Sequence, residues 1–486
     1  MTSTRMPVQG DRETTSFPPE ATAWSSGARR FDFEAPLGTS LSIGAPVLLS
    51  ADHGDYLGQV VELTPAPLRD DRPGRWVVGQ GTLIGSVSGE SLTPVDAART
   101  FDTARLRPAP GPLVRSWLAA ATAGGASLDV GQLRNPSTES ARLVAAGFNR
   151  HTFLCGQSGS GKTYAMGVVL EQLLLRTTLR MVIIDPNSDY VALDQLSAGP
   201  DGLAATAGPV IVFRAEGSHR LQVRFGRLPL RQQSMVLALD PLADLEEFDA
   251  LRRMIAELNT TEYAVSDLRQ ALQSRPGPAE QRLVLRIDNL GVADWSIWAA
   301  SGEPPLLDQL PADWRAGVVD LGGLGYAEER SAVVASILTG LWHRRGQREP
   351  VLIVIDEAHN VCPQQPTDAH QALAIEHAAR IAAEGRKYGL FLLLATQSPR
   401  KLHVNVLSQC ENLLLMKTNS VADVEHLAEV FSHVPRGLVA QATGFALGEG
   451  LAAGRISPTP QLFRTGRRLS PEGGADVPTT WAQSRE

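Results

Sequence analysis

The eight residues Gly156-Gln157-Ser158-Gly159-Ser160-Gly161-Lys162-Thr163 leave this chain few folds to choose from. An apolar run, residues 151–155, leads into them, and a stretch of helical composition, about 163–176, leads out. Strand, glycine loop and helix in that order form the G-x-x-x-x-G-K-[ST] phosphate cradle. Its glycines let backbone N–H groups converge on an anion, and the helix N-terminus adds positive potential. The chain has only four lysines, Lys162, Lys387, Lys401 and Lys417, and writes nearly all its other positive charge as arginine. It places one of the four where a compact ammonium fits the cradle and a planar guanidinium is too wide. Ser158, Gly159, Ser160, Gly161, Lys162, Thr163 and Tyr164 are therefore expected to contact a nucleotide, ATP or GTP, with the Thr163 hydroxyl placed for Mg²⁺.

A cradle of this kind needs a parallel sheet behind it. Apolar runs at 152–155, 181–184, 210–213, 317–321, 351–355, 390–395 and 413–416 end in polar residues and alternate with helical segments. Near-continuous Val/Ile/Leu strands of this kind are buried on both faces, so the predicted fold class is α/β, a parallel sheet between helical layers. The alternation lapses between about 230 and 314, where Leu245, Phe248, Leu251, Ile255 and Leu258 recur at helical spacing and Asp240-Pro241 reads as a helix start. This predicts a helical insertion.

Upstream, short β-type runs at 45–49, 56–63, 76–78 and 82–87 are divided by Gly/Asp-rich turns, the pattern of a small β-barrel or sandwich. The predicted organisation is a disordered segment over 1–30, a β-domain over 31–112, the α/β domain over 113–465 and a polar, irregular tail over 466–486.

The run 351–355 delivers Asp356 and Glu357 to the carboxyl edge of the sheet, where Asp356 can hold the Mg²⁺ shell and Glu357 can polarise an attacking water. His359, two residues on, reads first as a packing or capping residue, with a reacting role as the alternative. The neighbouring run 390–395 ends in Thr396-Gln397-Ser398-Pro399, which makes Gln397 either a sensor of the γ-phosphate or the start of a turn. Glu384-Gly385-Arg386-Lys387-Tyr388-Gly389 precedes that run and so lies at the sheet's other end. Arg386 cannot easily reach its own nucleotide from there; it is either a finger for a neighbouring subunit or part of a surface charge cluster.

Net charge is −7, so the chain carries no overall basic footprint, although a local channel needs none. Its apolar runs are far shorter than the ~20 residues that span a bilayer, and no leader pattern opens the chain. Cys155, Cys362 and Cys410 lack metal spacing and read as reduced thiols, which points to a cytoplasmic protein without a membrane partner.

Together, 156–163, Asp185-Pro186-Asn187-Ser188-Asp189-Tyr190, Asp356-Glu357-Ala358-His359, 384–389, 396–399 and the tail 470–478 resemble the HerA branch of the HerA/FtsK superfamily. The order extends from about Arg150 to the C-terminus. In the family the second-strand motif is closer to Asp-Pro-His-Gly-Glu-Tyr; here Asn187-Ser188 stand in its middle, so any role of a histidine there is absent. The resemblance implies a RecA-like P-loop NTPase core and assigns the N-terminal β-domain to the place of the family's HAS-barrel. It implies that Arg150 also approaches nucleotide and favours Arg386 as the intersubunit finger. It further implies a homohexamer around double-stranded DNA, ATP and Mg²⁺ as cofactors, and a NurA-like nuclease or another effector, in repair or antiphage defence, docked on the barrel.

Three other readings remain on the sequence. A nucleotide-gated scaffold could assemble a nuclease or other effector without pumping DNA. A conjugation or FtsK-like pump shares the motifs but often carries membrane segments. Asp-Glu-Ala-His also marks monomeric helicases, yet the chain after His359 supplies no second RecA-like domain. Arg400 and Lys401, or Arg214, Arg220 and Arg224, are candidates to line a DNA pore, with solvated loop charge as the alternative.

Overall fold

The computed structural model describes residues 20–68, 74–89, 91–94, 99–136, 138–196 and 209–473. The chain divides into two compact units, Met1–Trp117 and Leu118–Glu486.

The first unit holds β1 (Thr22–Ser25), β2 (Arg30–Pro36), β3 (Pro46–Ala51), β4 (Gly54–Pro65), β5 (Trp76–Ser88), β6 (Ser91–Pro94) and β7 (Ala104–Pro108). Its strands run in the order β2-β1-β7-β3-β4-β5, and β2 pairs back onto β5, so six strands close a barrel with β6 appended to β5. Closure leaves no open edge among those six, which is how a barrel avoids unpaired backbone. Alternation along β2 sends Phe31, Phe33 and Ala35 into the barrel's core. Phe31 and Phe33 stand opposite Gly81 and Gly79 of β5, and a Cβ on Gly81 would lie 2.0 Å from the Phe31 ring. The narrow interior has room for those rings only because β5 presents no side chain there.

The expected boundary at residue 31 is corrected. β1 and the start of β2 lie within the stretch whose composition reads as disordered, and β1 pairs with β2 and with Ala104 and Arg105 of β7. Four residues of strand are lost in a window average, and their partner is distant in sequence. Residues 1–19 lie outside the described residues.

The second unit is built on β8 (Ser127–Leu133), β9 (Ser140–Val144), β10 (Thr152–Cys155), β11 (Arg180–Asp185), β12 (Val210–Phe213), β13 (Ala316–Asp320), β14 (Val351–Ile355), β15 (Leu390–Thr396), β16 (Asn412–Met416), β17 (Glu449–Ala453) and β18 (Gln461–Thr465). They form one sheet in the order β12-β13-β11-β14-β15-β10-β16-β17-β18-β8-β9. The seven strands from β12 to β16 are parallel, and the four beyond β16 are antiparallel. The apolar runs read from sequence are those seven. The antiparallel extension went unread because β8 and β9 carry the polar alternation of half-exposed strands, and β18 is a short run flanked by polar residues.

Helix α1 (Gly111–Thr122) leads toward this sheet, and α2 (Lys162–Arg176) follows β10. Between β12 and β13 the chain forms α3 (Leu230–Val236), α4 (Leu245–Leu258), α5 (Val265–Ser274) and α6 (Pro278–Leu290). α4 starts at Leu245 behind Asp244; Asp240, read as its cap, instead accepts from the Leu242 and Ala243 N–H groups in the preceding turn. α7 (Ala327–His343), α8 (Ala358–Val361) and α9 (Ala369–Glu384) complete the elements around β14 and β15.

Arg224, a candidate pore residue, is fully buried. Its guanidinium donates to the carbonyls of Ala299, Ala300 and Glu303, and it ties the insertion together rather than facing nucleic acid. No helix among the described residues is long and apolar enough to cross a membrane.

Candidate nucleotide-binding site

β10 carries the chain up the middle of the sheet, between β15 and β16, and releases it at Cys155 into the glycine loop. Gly159 and Gly161 turn through φ +71° and +86°, a region that favours glycine. Gly161 precedes α2 without a side-chain cap, so the first N–H groups of the helix stay available to an anion. Lys162 opens the helix and is 5% exposed.

Its ammonium lies 2.7 Å from Asp356 Oδ1 and 2.8 Å from Glu357 Oε1. Both carboxylates stand at the carboxyl end of β14, and Glu357 is held at φ +44°, a conformation costly for a residue with a Cβ. Burial alone would lower the Lys162 pKa, but Asp356 and Glu357 outweigh it and hold the ammonium above the ordinary lysine range. Burial would likewise raise Glu357; Lys162, with Gln397, reverses this and keeps it ionised. Gln397 Nε2 donates to Glu357 Oε1 at 2.9 Å, so the tip of β15 touches the candidate base directly. Thr163 and Tyr164 follow in the first turn of α2, both half-buried.

Two groups not assigned from sequence complete the cradle. Tyr190 Oη donates to Asp356 Oδ2 at 3.2 Å. Asp185 accepts from the backbone N–H groups of Asn187, Asp189 and Tyr190, which folds 185–190 into the turn that delivers that tyrosine. Burial, with Asp185 and Asp356 nearby, pushes the Asp189 carboxyl up to about 7.

The segment after β18 is the second surprise, since its composition reads as an irregular tail. The Arg468 N–H donates to Tyr164 Oη at 2.8 Å, and its guanidinium donates to the Asp189 carbonyl and lies over the Tyr190 ring. Glu171 of α2 accepts from Leu469 N, Ser470 N and Ser470 Oγ. A hint lay in Gly167, where a Cβ would meet Arg468 Nε at 2.7 Å. Residues 474–486 of the expected tail lie outside the described residues.

Arg150 and Arg386 are not in this cluster. Arg150 precedes β10 and Arg386 precedes β15, so both sit at the amino edge of the parallel sheet, opposite Lys162. They converge on Glu411, at 3.2 Å from Arg150 Nε and 2.7 Å from Arg386 Nη1.

A RecA-like parallel sheet with a phosphate loop, an Asp-Glu strand end and a glutamine at the adjacent strand tip defines a P-loop NTPase. Residues 128–286 match the family described as Helicase HerA, central domain. A probable helicase of Methanocaldococcus jannaschii is 31% identical over 129 residues, 26% of this chain and 24% of the relative. The DNA double-strand break repair helicase HerA of Sulfurisphaera tokodaii is 28% identical over 143 residues, 29% of this chain and 28% of the relative. The chain thus spans about a quarter of the length of these relatives. The HerA of Pyrococcus furiosus matches at 21% identity over 65% of each chain. VirB4 of Thermoanaerobacter pseudethanolicus shares the fold, with a TM-score of 0.51 at 17% identity, covering 70% of this chain and 96% of VirB4.

Proposed function

We propose that this chain is an ATPase that works as a homohexameric ring, drives double-stranded DNA through its pore and feeds it to a nuclease or other effector docked on the N-terminal barrel. The observation that carries the reading is the separation of the site into two halves. Lys162, Asp356, Glu357 and Gln397 meet at one edge of the sheet, while Arg150 and Arg386 wait at the other. A second copy that presents its amino edge to this carboxyl edge brings the two halves together. The match to the HerA central domain and the repair-helicase names of the relatives support duplex DNA as the cargo. Three buried free thiols support a reducing, cytoplasmic setting.

The chemistry follows from the contacts. Triphosphate entering the loop offers Lys162 a stronger anionic partner than two carboxylates, so the ammonium moves to the β- and γ-phosphates and Glu357 is released. Glu357 then takes the proton of the water that attacks the γ-phosphorus, and the bond to the β-phosphate oxygen breaks to give ADP and phosphate. Gln397 orients that water, and a neighbour's Arg386 meets the charge that develops on the transferred group. Thr163 and Asp356 offer a hydroxyl and a buried carboxylate, hard oxygen donors suited to Mg²⁺ beside phosphates. Held by Thr163 and Asp356, Mg²⁺ would neutralise part of the phosphate charge.

ATP turnover measured with and without duplex tests the reading, alongside sizing of the ATP-bound particle. Stimulation by duplex and a six-chain mass are expected; a monomer with full turnover would sink the ring. A scaffold is the better description if Glu357→Gln blocks hydrolysis yet fully activates the effector.

A further inference from the structure

Behind the candidate base lies a set of contacts that hydrolysis alone does not require. Lys162 and Gln397 occupy Glu357 Oε1. Glu357 Oε2 is buried, makes no hydrogen bond, and has His359 Nδ1 at 3.3 Å. The same Nδ1 lies 3.0 Å from Thr396 Oγ1, which also accepts from Ser398 N at 3.1 Å. His359 thus stands between the oxygen that takes the water's proton and the last residue of β15.

A neutral imidazole nitrogen serves one of these partners at a time. Burial, aided by Lys401 and Lys162 and opposed by Glu357, keeps the His359 pKa below the usual histidine range, so the ring is neutral near pH 7. In the tautomer that carries its proton on Nδ1, donation to Oε2 draws on a lone pair of the base and lowers its basicity. Turned to Thr396, the same N–H leaves that lone pair open.

Thr396 leads directly into the turn that carries the next basic residues. Arg400 and Lys401 are exposed there, and among the described residues neither forms an ion pair. The far end of the turn is stitched to the chain after His359. Gln364 N donates to the Lys401 carbonyl at 2.9 Å, His403 N donates to the Cys362 carbonyl at 2.8 Å, and Pro363 and Leu402 form a bridge. A pull on Arg400 and Lys401 therefore acts on both sides of the imidazole, through the strand tip and through the backbone beyond α8.

We propose that His359 is a positioning residue that reports contact between duplex phosphates and Arg400 and Lys401 to the Glu357 carboxylate, freeing Oε2 when the phosphates are engaged. The inference rests on the ATPase reading and adds to it how nucleic acid would switch the base on.

The test is the ratio of ATP turnover with saturating random-sequence duplex to turnover without it, measured on the full chain. His359→Asn places an amide where Nδ1 stands and should keep most of the wild-type ratio. His359→Gln places its amide near Nε2 and should bring the ratio close to one, with melting temperature and KM for ATP compared between the two. Arg400→Ala with Lys401→Ala should also collapse the ratio, and adding His359→Gln should lower it no further, since residues on one path are not additive. A His359→Gln ratio equal to that of wild type overturns the proposal, as does a triple variant whose losses multiply. A wild type that hydrolyses ATP with a ratio of one overturns the coupling alone. A wild type that does not hydrolyse ATP takes down the ATPase reading and the coupling with it.

Discussion

Arg468 lies across Glu171 with its Nε 3.8 Å from Oε1, and both side chains are about 1% exposed. A charge pair this deep contributes less by its own attraction than by the damage of breaking it. Arg468→Ala would leave the buried Glu171 without its cationic partner and should cost about 3–5 kcal/mol. The check is chemical denaturation of the variant, with Arg468→Met/Glu171→Gln expected to recover much of the loss. Because the Arg468 guanidinium also holds the Asp189 carbonyl of the 185–190 turn, weaker ATP binding should accompany the loss of stability.

Glu357→Gln should separate binding from turnover. The amide keeps the shape and a contact to Gln397 but cannot take a proton, so turnover should fall by about 10²–10⁴. Equilibrium binding of ATP should persist; loss of binding as well would mean that Glu357 acts by shaping the loop.

Arg386→Ala should lower turnover by roughly 10³–10⁵ if it completes a neighbour's site. Its only described ionic partner is Glu411, and it lies too far around the sheet to touch its own loop. Titrating the variant into wild-type protein should reduce activity more steeply than dilution does. A loss proportional to the variant fraction would return Arg386 to the class of surface charges.

His151 gives a pH signature independent of nucleotide. Burial holds its pKa down at about 4, while Nδ1 accepts from Leu392 N at 3.0 Å. Between about pH 6.5 and 4 the unfolded chain therefore binds the proton and the folded chain does not, so stability falls as pH drops through that window. The contribution is about 3 kcal/mol at most. His151→Asn retains an acceptor without the titration, and its melting temperature should depend less on pH over the same range.

Much of the parallel sheet was legible because its strands are buried on both faces and read as unbroken Val/Ile/Leu runs. Lys162, Asp356, Glu357 and Gln397 were legible for a related reason. Asp356, Glu357 and Gln397 stand where such a run ends, Lys162 follows one across the glycine loop, and the carboxyl edge of a parallel sheet collects them. Tyr190 and Arg468 were not, since each reaches the cradle through tertiary packing that leaves no local period. β1 and the antiparallel strands escaped because they are short or half-exposed. Arg224 misled because an arginine in a loop reads as solvated, whereas this one is buried and satisfies three backbone carbonyls.

The antiparallel half of the large sheet sets an order on how the protein can be made. Gln461 of β18 donates to the Arg142 carbonyl of β9 across 319 positions of chain, and β18 pairs with β8. The hairpin of β8 and β9 leaves the ribosome early and gains its neighbour only after β18 has followed. Until then its edge is bare, a stretch of backbone that other nascent chains on the same message can capture. Slow elongation should thus favour aggregation of this protein, and the large sheet cannot be completed until β18 has been made.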